Sequence, residues 1–194
     1  MIKTRERLLL AAAFCVCLAL AVTTAFAGTP AELAAETEAY VKSTSTNKPI
    51  ESGAIIAKVN EACKLLQAEG EAAFPKFQGK DSKFLFHGTY IWIHSLKDGK
   101  MLMHPIKYKL NGRQLLGIKD KKGKRFFVLM NKVASENGSG WVSYYWPKPG
   151  SKDVVQKYSY VKKCTMAGGK EVVIGCGIYA YMADKADIAK LKIH

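Results

Sequence analysis

The segment GSGWVSYYW, residues 138–146, decides the fold together with KYSYV at 157–161 and VIGCGIY at 173–179. Aromatic and β-branched residues at this density favour β-strands. The connecting sequences PKPG at 147–150 and AGGK at 167–170 are typical of turns. The predicted strands are Trp141–Trp146, Tyr158–Cys164 and Glu171–Tyr179. Three successive strands with short turns indicate an antiparallel sheet.

Shorter β-prone runs precede this region. They are FLF at 84–86, YIWIH at 90–94 and MLM at 101–103, and the turn KDGK at 97–100 separates the last two. Because Asp-Gly is a strong turn signal, we expect a hairpin there.

Helical patterns lie mainly before the strands. We expect helices over Thr29–Lys42, from Ile55 to Phe74-Pro75, over Arg125–Ala134 and over Ala183–Lys192. The second pattern has one apolar face, with Ile55, Val59, Ala62 and Leu66 at helical spacing. Helices followed by a mostly antiparallel sheet predict an α+β fold with a long helix packed across one sheet face.

The amino terminus has the pattern of a secretory signal peptide. Three basic residues precede an uncharged run from Leu8 to Val22, and Ala25-Phe26-Ala27 offers small residues for cleavage after Ala27. Lipidation at Cys15 or Cys17 is the alternative. We therefore predict a periplasmic protein with four parts. They are a signal peptide at 1–27, a helix and linker at 28–49, one domain at 50–182 and a C-terminal helix or tail at 183–194.

The chain is strongly basic, with a net charge of +14 at pH 7. Removing residues 1–27 takes away three basic groups and one acidic group, which leaves +12 on 167 residues. A small carboxylate, an anionic membrane or wall surface, or an acidic protein would suit this charge. We do not expect nucleic acid as a partner, because the protein is predicted to be exported. The densest basic run, Lys119 to Arg125, is typical of a solvated turn.

Three cysteines remain after residue 27: Cys63, Cys164 and Cys176. Because export leads to an oxidising compartment, we predict a disulfide between Cys164 and Cys176, on consecutive strands, with Cys63 as the competing partner. The spacings typical of zinc, haem or catalytic sites do not occur, so we expect no metal, no cofactor and no enzymatic activity.

The order of these motifs resembles the single Cache domain of bacterial receptors over residues 50–182. The resemblance rests on Tyr90 and Trp92, Asp98-Gly99, His104-Pro105 and the three segments quoted first. Two features depart from the family pattern: the turn after Lys163 is longer, and Cys176 replaces a threonine. The resemblance implies a PAS-like fold, with a pocket between the sheet and the segments that cross it.

Six residues form the predicted ligand site. They are Trp92, His104, Tyr144, Trp146, Lys157 and Tyr160. The resemblance implies pocket roles for Tyr144 and Trp146, which share a strand face, and an anion-binding role for Lys157. The alternatives are core aromatics, including Trp92, and a solvated edge lysine. His104 is either structural or a pH sensor.

These expectations define a function: a periplasmic protein that binds or senses a short organic acid, of about two to four carbons. Since the sequence has no membrane helix after the domain, we expect it to act freely or through a membrane receptor or sensor kinase. The alternative is a structural or adaptor protein whose basic surface binds a membrane, a wall polymer or an acidic partner.

Overall fold

The computed structural model describes residues 28–46 and 48–194. The predicted signal peptide, its cleavage site after Ala27 and the alternative lipidation sites Cys15 and Cys17 lie outside the described residues. Among the helices of the described ranges, none is both long and apolar enough to cross a membrane.

Helices and strands follow in the predicted order. The helices are α1 (Pro30–Ser43), α2 (Ser52–Glu69), α3 (Phe126–Asn137) and α4 (Lys185–Ile188), with 3₁₀ turns at Gly70–Phe77 and Tyr108–Leu110. The strands are β1 (Leu85–Phe86), β2 (Thr89–Ser95), β3 (Met101–Met103), β4 (Ser139–Pro147), β5 (Val154–Thr165) and β6 (Glu171–Tyr179). The predicted α+β class with an antiparallel sheet is confirmed.

The six strands form one antiparallel sheet in the order β1-β2-β6-β5-β4, with β3 also paired to β2. Strands β4, β5 and β6 form two consecutive hairpins, and the predicted β2–β3 hairpin is present. Gly99 supplies the positive φ of 69° that this tight turn requires. Because β5 and β6 are paired on both sides, their side chains point into the two layers that cover the sheet.

The long helix α2 covers one side of the sheet, which we call the α2 face. Its buried residues Ile55, Val59, Ala62 and Leu66 recur every three or four positions, so one apolar stripe lies against β5 and β6. The helix ends at Gly70, whose φ is 61°. The predicted continuation towards Phe74-Pro75 is therefore a 3₁₀ segment and not an α-helix.

A disulfide joins Cys63 on α2 to Cys164 on β5, with the two Cα atoms 5.9 Å apart. The predicted Cys164–Cys176 bond is wrong because of strand register. Cys164 lies opposite Val172, and four residues of β-strand place Cys176 roughly 13 Å further along. That distance is beyond the reach of a disulfide. Cys176 is a buried free thiol.

Helix α3 and the irregular segment 104–118 cover the opposite side of the sheet, which we call the α3 face. Phe126, Phe127 and Met130 of α3 are buried there against sheet residues that include Trp92 and Tyr144. The face also buries His94, His104 and Lys157. Titratable side chains in such surroundings need a specific explanation, because burial opposes charge.

The C-terminal segment is less helical than predicted. Of the residues 183–192, only Lys185–Ile188 form an α-helix, which the Asp184 side chain caps by accepting from the Asp187 amide at 3.0 Å. The chain then turns back to the sheet, where the His194 amide donates to the Trp141 carbonyl at 2.9 Å. This backbone pairing ends the helix early.

Candidate ligand-binding site

Lys157 lies near the start of β5 with its side chain on the α3 face. Strand pairing places it between Tyr144 on β4 and Tyr179 on β6. The side chain is fully buried, with 0% of its surface exposed. A central strand position therefore replaces the solvated edge that was the alternative for this lysine.

The Lys157 amine is enclosed by aromatic rings. Its Nζ lies 4.3 Å from the ring centroid of Tyr90, 4.6 Å from that of Tyr179 and 5.3 Å from that of Trp92. It donates a 3.3 Å hydrogen bond to the Tyr90 hydroxyl. Across residues 28–46 and 48–194, no carboxylate forms an ion pair with it. Aromatic faces attract an ammonium group, but they do not replace a counter-ion.

Burial shifts the charge equilibrium of this amine. It lowers the pKa of Lys157 from 10.5 to about 7, the nearby Cys176 thiol raises it in part, and Lys107 lowers it further. The cause is desolvation, which disfavours the charged form of a buried base. Lys157 is therefore a buried base that an anionic neighbour would convert to an ammonium.

Two phenols flank the lysine and remain neutral. The Tyr144 hydroxyl is 3.1 Å from Ser159 Oγ, and the Tyr179 hydroxyl donates to the Pro147 carbonyl at 3.1 Å. Burial raises the pKa of both tyrosines well above the usual value. A neutral phenol has one O–H to donate. Tyr179 donates its proton to Pro147, whereas Tyr144 can donate to an anion next to the amine when Ser159 donates to it.

Two glycines of β6 leave space for this arrangement. A Cβ atom on Gly177 would lie 2.6 Å from Lys157 Cε and would also overlap Ser159 Oγ. A Cβ atom on Gly175 would overlap the Trp92 ring. The alternation in VIGCGIY therefore clears the α3 face, because strand side chains alternate between faces.

His104 approaches the lysine from the segment that covers the sheet. Its ring centroid is 5.1 Å from that of Tyr90, and its Nδ1 accepts the Lys107 amide at 3.0 Å. This leaves Nε2 as the protonated nitrogen of the neutral ring. Burial, and then the charges of Lys157 and Lys107, hold the pKa of His104 well below its usual range.

Both predicted tryptophans lie on the same face. Trp92 is buried, and its indole Nε1 is a donor with no hydrogen-bond partner among the described residues. Trp146 is half-buried and packs edge-on against Phe126 and Tyr144, with centroid separations of 5.5 and 6.2 Å. An unpaired buried donor beside a buried amine is costly and points to a polar ligand.

Five of the six predicted site residues thus converge on one face, and Tyr160 does not. Its side chain lies on the α2 face, where its ring centroid is 5.6 Å from that of Trp141. The physical reason is strand alternation: Tyr160 is three residues from Lys157, and an odd separation reverses the direction of the side chain. Tyr160 is therefore removed from the site.

The structure adds residues that sequence patterns left in the core or did not single out. Tyr90 and Tyr179 contact the amine directly, and Ser159 bonds Tyr144. The signal was present, since Tyr90 precedes Trp92 by two positions and Tyr179 closes VIGCGIY. We call Lys157, Tyr90, Trp92, His104, Tyr144 and Tyr179 the Lys157 cluster.

A Cache domain profile matches residues 77–190, which is more than half of the chain. The chain belongs to the Cache domain family. Over 93 residues, the chain is 39% identical to the methyl-accepting chemotaxis protein McpP of Pseudomonas putida. That alignment includes 48% of this chain and only 16% of McpP. The homology therefore concerns a small part of the receptor.

Solved structures of Cache and chemotaxis sensor domains share the fold. One, described as a Cache chemosensory domain that recognises carboxylic acids, is 28% identical with a TM-score of 0.51, over 74% of this chain and 90% of that one. A periplasmic sensor domain of a chemotaxis protein is 30% identical with a TM-score of 0.50, over 79% of this chain and 99% of that one. A methyl-accepting chemotaxis protein from Vibrio parahaemolyticus resembles this chain in fold alone. It is 19% identical with a TM-score of 0.52, over 66% of this chain and 85% of that one.

Proposed function

We propose that this Cache domain binds a short organic carboxylate at Lys157 and acts as a periplasmic sensor for it. The observation that carries the proposal is a fully buried lysine that pairs with no carboxylate among the described residues. Removing an ion from water costs several kcal/mol unless a partner of opposite charge is supplied. A carboxylate is a small organic group that supplies this negative charge at neutral pH.

The surrounding groups fit the other parts of such a ligand. The Tyr144 hydroxyl, when Ser159 donates to it, and the indole N–H of Trp92, which has no partner among the described residues, are donors for a second carboxylate oxygen. The aromatic rings offer apolar contact to a short carbon chain. The solved Cache neighbour described for carboxylic acid recognition supports this chemistry.

Access to the amine requires a movement. Because Lys157 is sealed from solvent, a ligand reaches it only when a covering segment opens. Segment 104–118 is the candidate, since its regular structure is limited to the short 3₁₀ turn Tyr108–Leu110. A closing segment converts ligand binding into a conformational signal, which is what a sensor requires.

We infer that the site binds its ligand without transforming it. The nearest thiol, Cys176, has its pKa raised by burial to about 11 and belongs to the core of the α2 face. It is therefore a poor nucleophile. The chemotaxis proteins among the homologues support a sensory role, with a membrane receptor or sensor kinase as the partner.

Titration calorimetry with acetate, propionate and butyrate tests the site. Lys157→Met keeps most of the side-chain volume and removes the charge, so affinity should fall roughly thirtyfold to several thousandfold, or about 2–5 kcal/mol. Tyr144→Phe should weaken binding by a smaller factor. Lys152→Met is the matched control, because it makes the same chemical change at an exposed position of the β4–β5 turn.

Two results would contradict this site. One is a carboxylate whose affinity is unchanged by both Lys157→Met and Tyr144→Phe. The other is a preferred ligand that is neutral or cationic, which would remove the charge argument altogether.

A second candidate function rests on a groove of about 700 Å³ between α2, the α3–β4 turn and β5. Lys64, Lys162 and Lys163 line it, and its lining contains no acidic residue. Among the described residues, the Lys162 amine donates to a neutral group, Asn60 Oδ1, at 2.6 Å, whereas Lys163 pairs with Glu171. This groove favours an adaptor that holds an acidic polymer or protein.

The two functions are separable by variants. Lys162→Met should weaken salt-sensitive binding to anionic vesicles or wall polymer and leave propionate binding unchanged. Lys157→Met should weaken propionate binding and leave the salt-sensitive binding unchanged. Retention on anionic material that Lys162→Met does not alter would eliminate the groove as its cause.

A further inference from the structure

A carboxylate that binds at Lys157 changes the charge of this amine wherever the amine is neutral beforehand, and this inference rests on the proposed function. We infer that, at neutral to alkaline pH, the domain takes up one proton from solvent with each carboxylate it binds, so that it senses the carboxylate and the proton together. Three aromatic rings enclose the amine, and no carboxylate in the described part of the chain pairs with it; these two observations carry the inference.

The geometry favours a neutral amine before the ligand arrives. Nζ lies against the faces of Tyr90, Tyr179 and Trp92, and its one hydrogen bond goes to a phenol. Rings and a phenol stabilise an ammonium less than the water they replace. A free amine in this cage therefore requires no counter-ion, whereas an ammonium does.

The titratable groups around the amine, which include Cys176 on the opposite side of β6, do not supply that counter-ion. They are Tyr90 on β2, Tyr144 on β4, Cys176 and Tyr179 on β6, and His104 and Lys107 on the covering segment. Burial raises the pKa of the three tyrosines and of Cys176, so these groups are uncharged near neutral pH. His104 is neutral and Lys107 repels a cation. From α1, Glu38 acts on Tyr90 and forms no ion pair with Lys157 within the described residues.

The binding step balances in atoms and charge. A neutral Lys157 amine, a carboxylate anion and one proton from solvent become an ammonium–carboxylate pair. No covalent bond to the ligand forms, and the proton adds to the nitrogen lone pair. The bound state has the composition of the amine plus the undissociated acid, although free propionate is ionised throughout this pH range.

The pH window follows from the position of the equilibrium. Because burial lowers the pKa of Lys157 to about 7, the amine is already protonated at pH 6, and binding there takes up no proton. Above pH 7 the protonated fraction falls tenfold per pH unit. If only the ammonium binds, affinity at pH 9 is about a hundredfold weaker than at pH 6.

Calorimetry with propionate measures the proton directly. Titrations at pH 6, 7, 8 and 9, each in two buffers with different ionisation enthalpies, give the number of protons taken up per ligand. We expect a number near zero at pH 6 that rises towards one at pH 9, with a parallel fall in affinity.

Two variants locate the proton. Lys157→Arg carries a guanidinium that stays charged in this range, so any binding it retains should be independent of pH and without proton uptake. His104→Asn should keep the uptake between pH 7 and 9, because a histidine with a lowered pKa titrates only in acid. Uptake that disappears in His104→Asn would assign the proton to the histidine and overturn the inference.

The remaining outcomes separate the inference from the proposed function. Tight propionate binding at pH 9 without proton uptake would overturn the coupling and leave the carboxylate site intact. Absence of binding by any of the three carboxylates even at pH 6 would defeat the proposed function, and the coupling with it.

Discussion

The two faces of the sheet bury different kinds of side chain. The α2 face is an apolar core fixed by the Cys63–Cys164 disulfide. The α3 face holds the buried lysine and both buried histidines. His94 illustrates the cost: burial lowers its pKa to about 4, and its Nδ1 has no partner among the described residues. One face therefore contributes stability, and the other buries titratable groups at a cost in stability.

The largest effect is expected when the Cys63–Cys164 disulfide is removed from the α2 face. Replacing both Cys63 and Cys164 with Ser should lower the free energy of unfolding by about 3–5 kcal/mol, because the disulfide closes a loop of about 100 residues in the unfolded chain. Urea unfolding measures this loss. Propionate affinity of the folded variant should stay close to that of the wild type.

Cys176→Ala is the control for this pair, since its thiol is free and it should leave the disulfide in place. Non-reducing peptide mapping that recovers a link between residues 164 and 176 would show that the disulfide is assigned to the wrong cysteines.

A smaller effect of opposite sign is expected on the α3 face. Without carboxylate, Lys157→Met should raise the free energy of unfolding by about 1–3 kcal/mol at pH 7 or below, because an apolar side chain replaces a buried and unpaired cation. The same substitution should weaken carboxylate binding roughly thirtyfold to several thousandfold. A destabilised Lys157→Met protein would show instead that the amine stabilises the fold.

The pH dependence sharpens this prediction. The pKa of Lys157 is about 7 in the folded protein, against an ordinary value of 10.5 for a solvated lysine, so the unfolded chain binds more protons between these limits. The free energy of unfolding of the wild type should therefore increase as pH rises from 7 to 10. Below pH 7 the full cost of burying the charged Lys157 is present. Lys157→Met should lack that increase. Urea midpoints across this range give the comparison.

The smallest effect is expected for the residue that alternation places on the wrong face. Tyr160→Phe should change stability by less than about 0.5 kcal/mol and leave propionate affinity unaltered, because its half-buried ring packs on Trp141. Tyr144→Phe is the matched change on the α3 face. Loss of affinity in Tyr160→Phe would mean that both faces contribute to binding.

Much of this contrast could be predicted from local sequence. The spacing of Ile55, Val59, Ala62 and Leu66 identified the apolar helix, and the aromatic runs located β4, β5 and β6. Alternation along Trp141–Trp146 correctly placed Tyr144 and Trp146 on one face. These features depend on neighbours within a few residues, and periodicity records them directly.

The errors arose where distant segments meet. The disulfide depends on the register of β5 against β6 and on where α2 crosses the sheet, which spacing within one strand does not determine. The burial of Lys157 depends on its central strand position and on the glycines of β6. Tyr160 was a different kind of error, since its odd separation from Lys157 was readable in the sequence.

A crystal structure of the protein with propionate tests the central claim most directly. The account predicts one carboxylate oxygen about 2.7–2.9 Å from Lys157 Nζ, the distance of a charge-assisted hydrogen bond, with the carbon chain against the rings of the Lys157 cluster. Propionate bound in the α2–β5 groove, or on the α3 face without contact to Lys157, would contradict it.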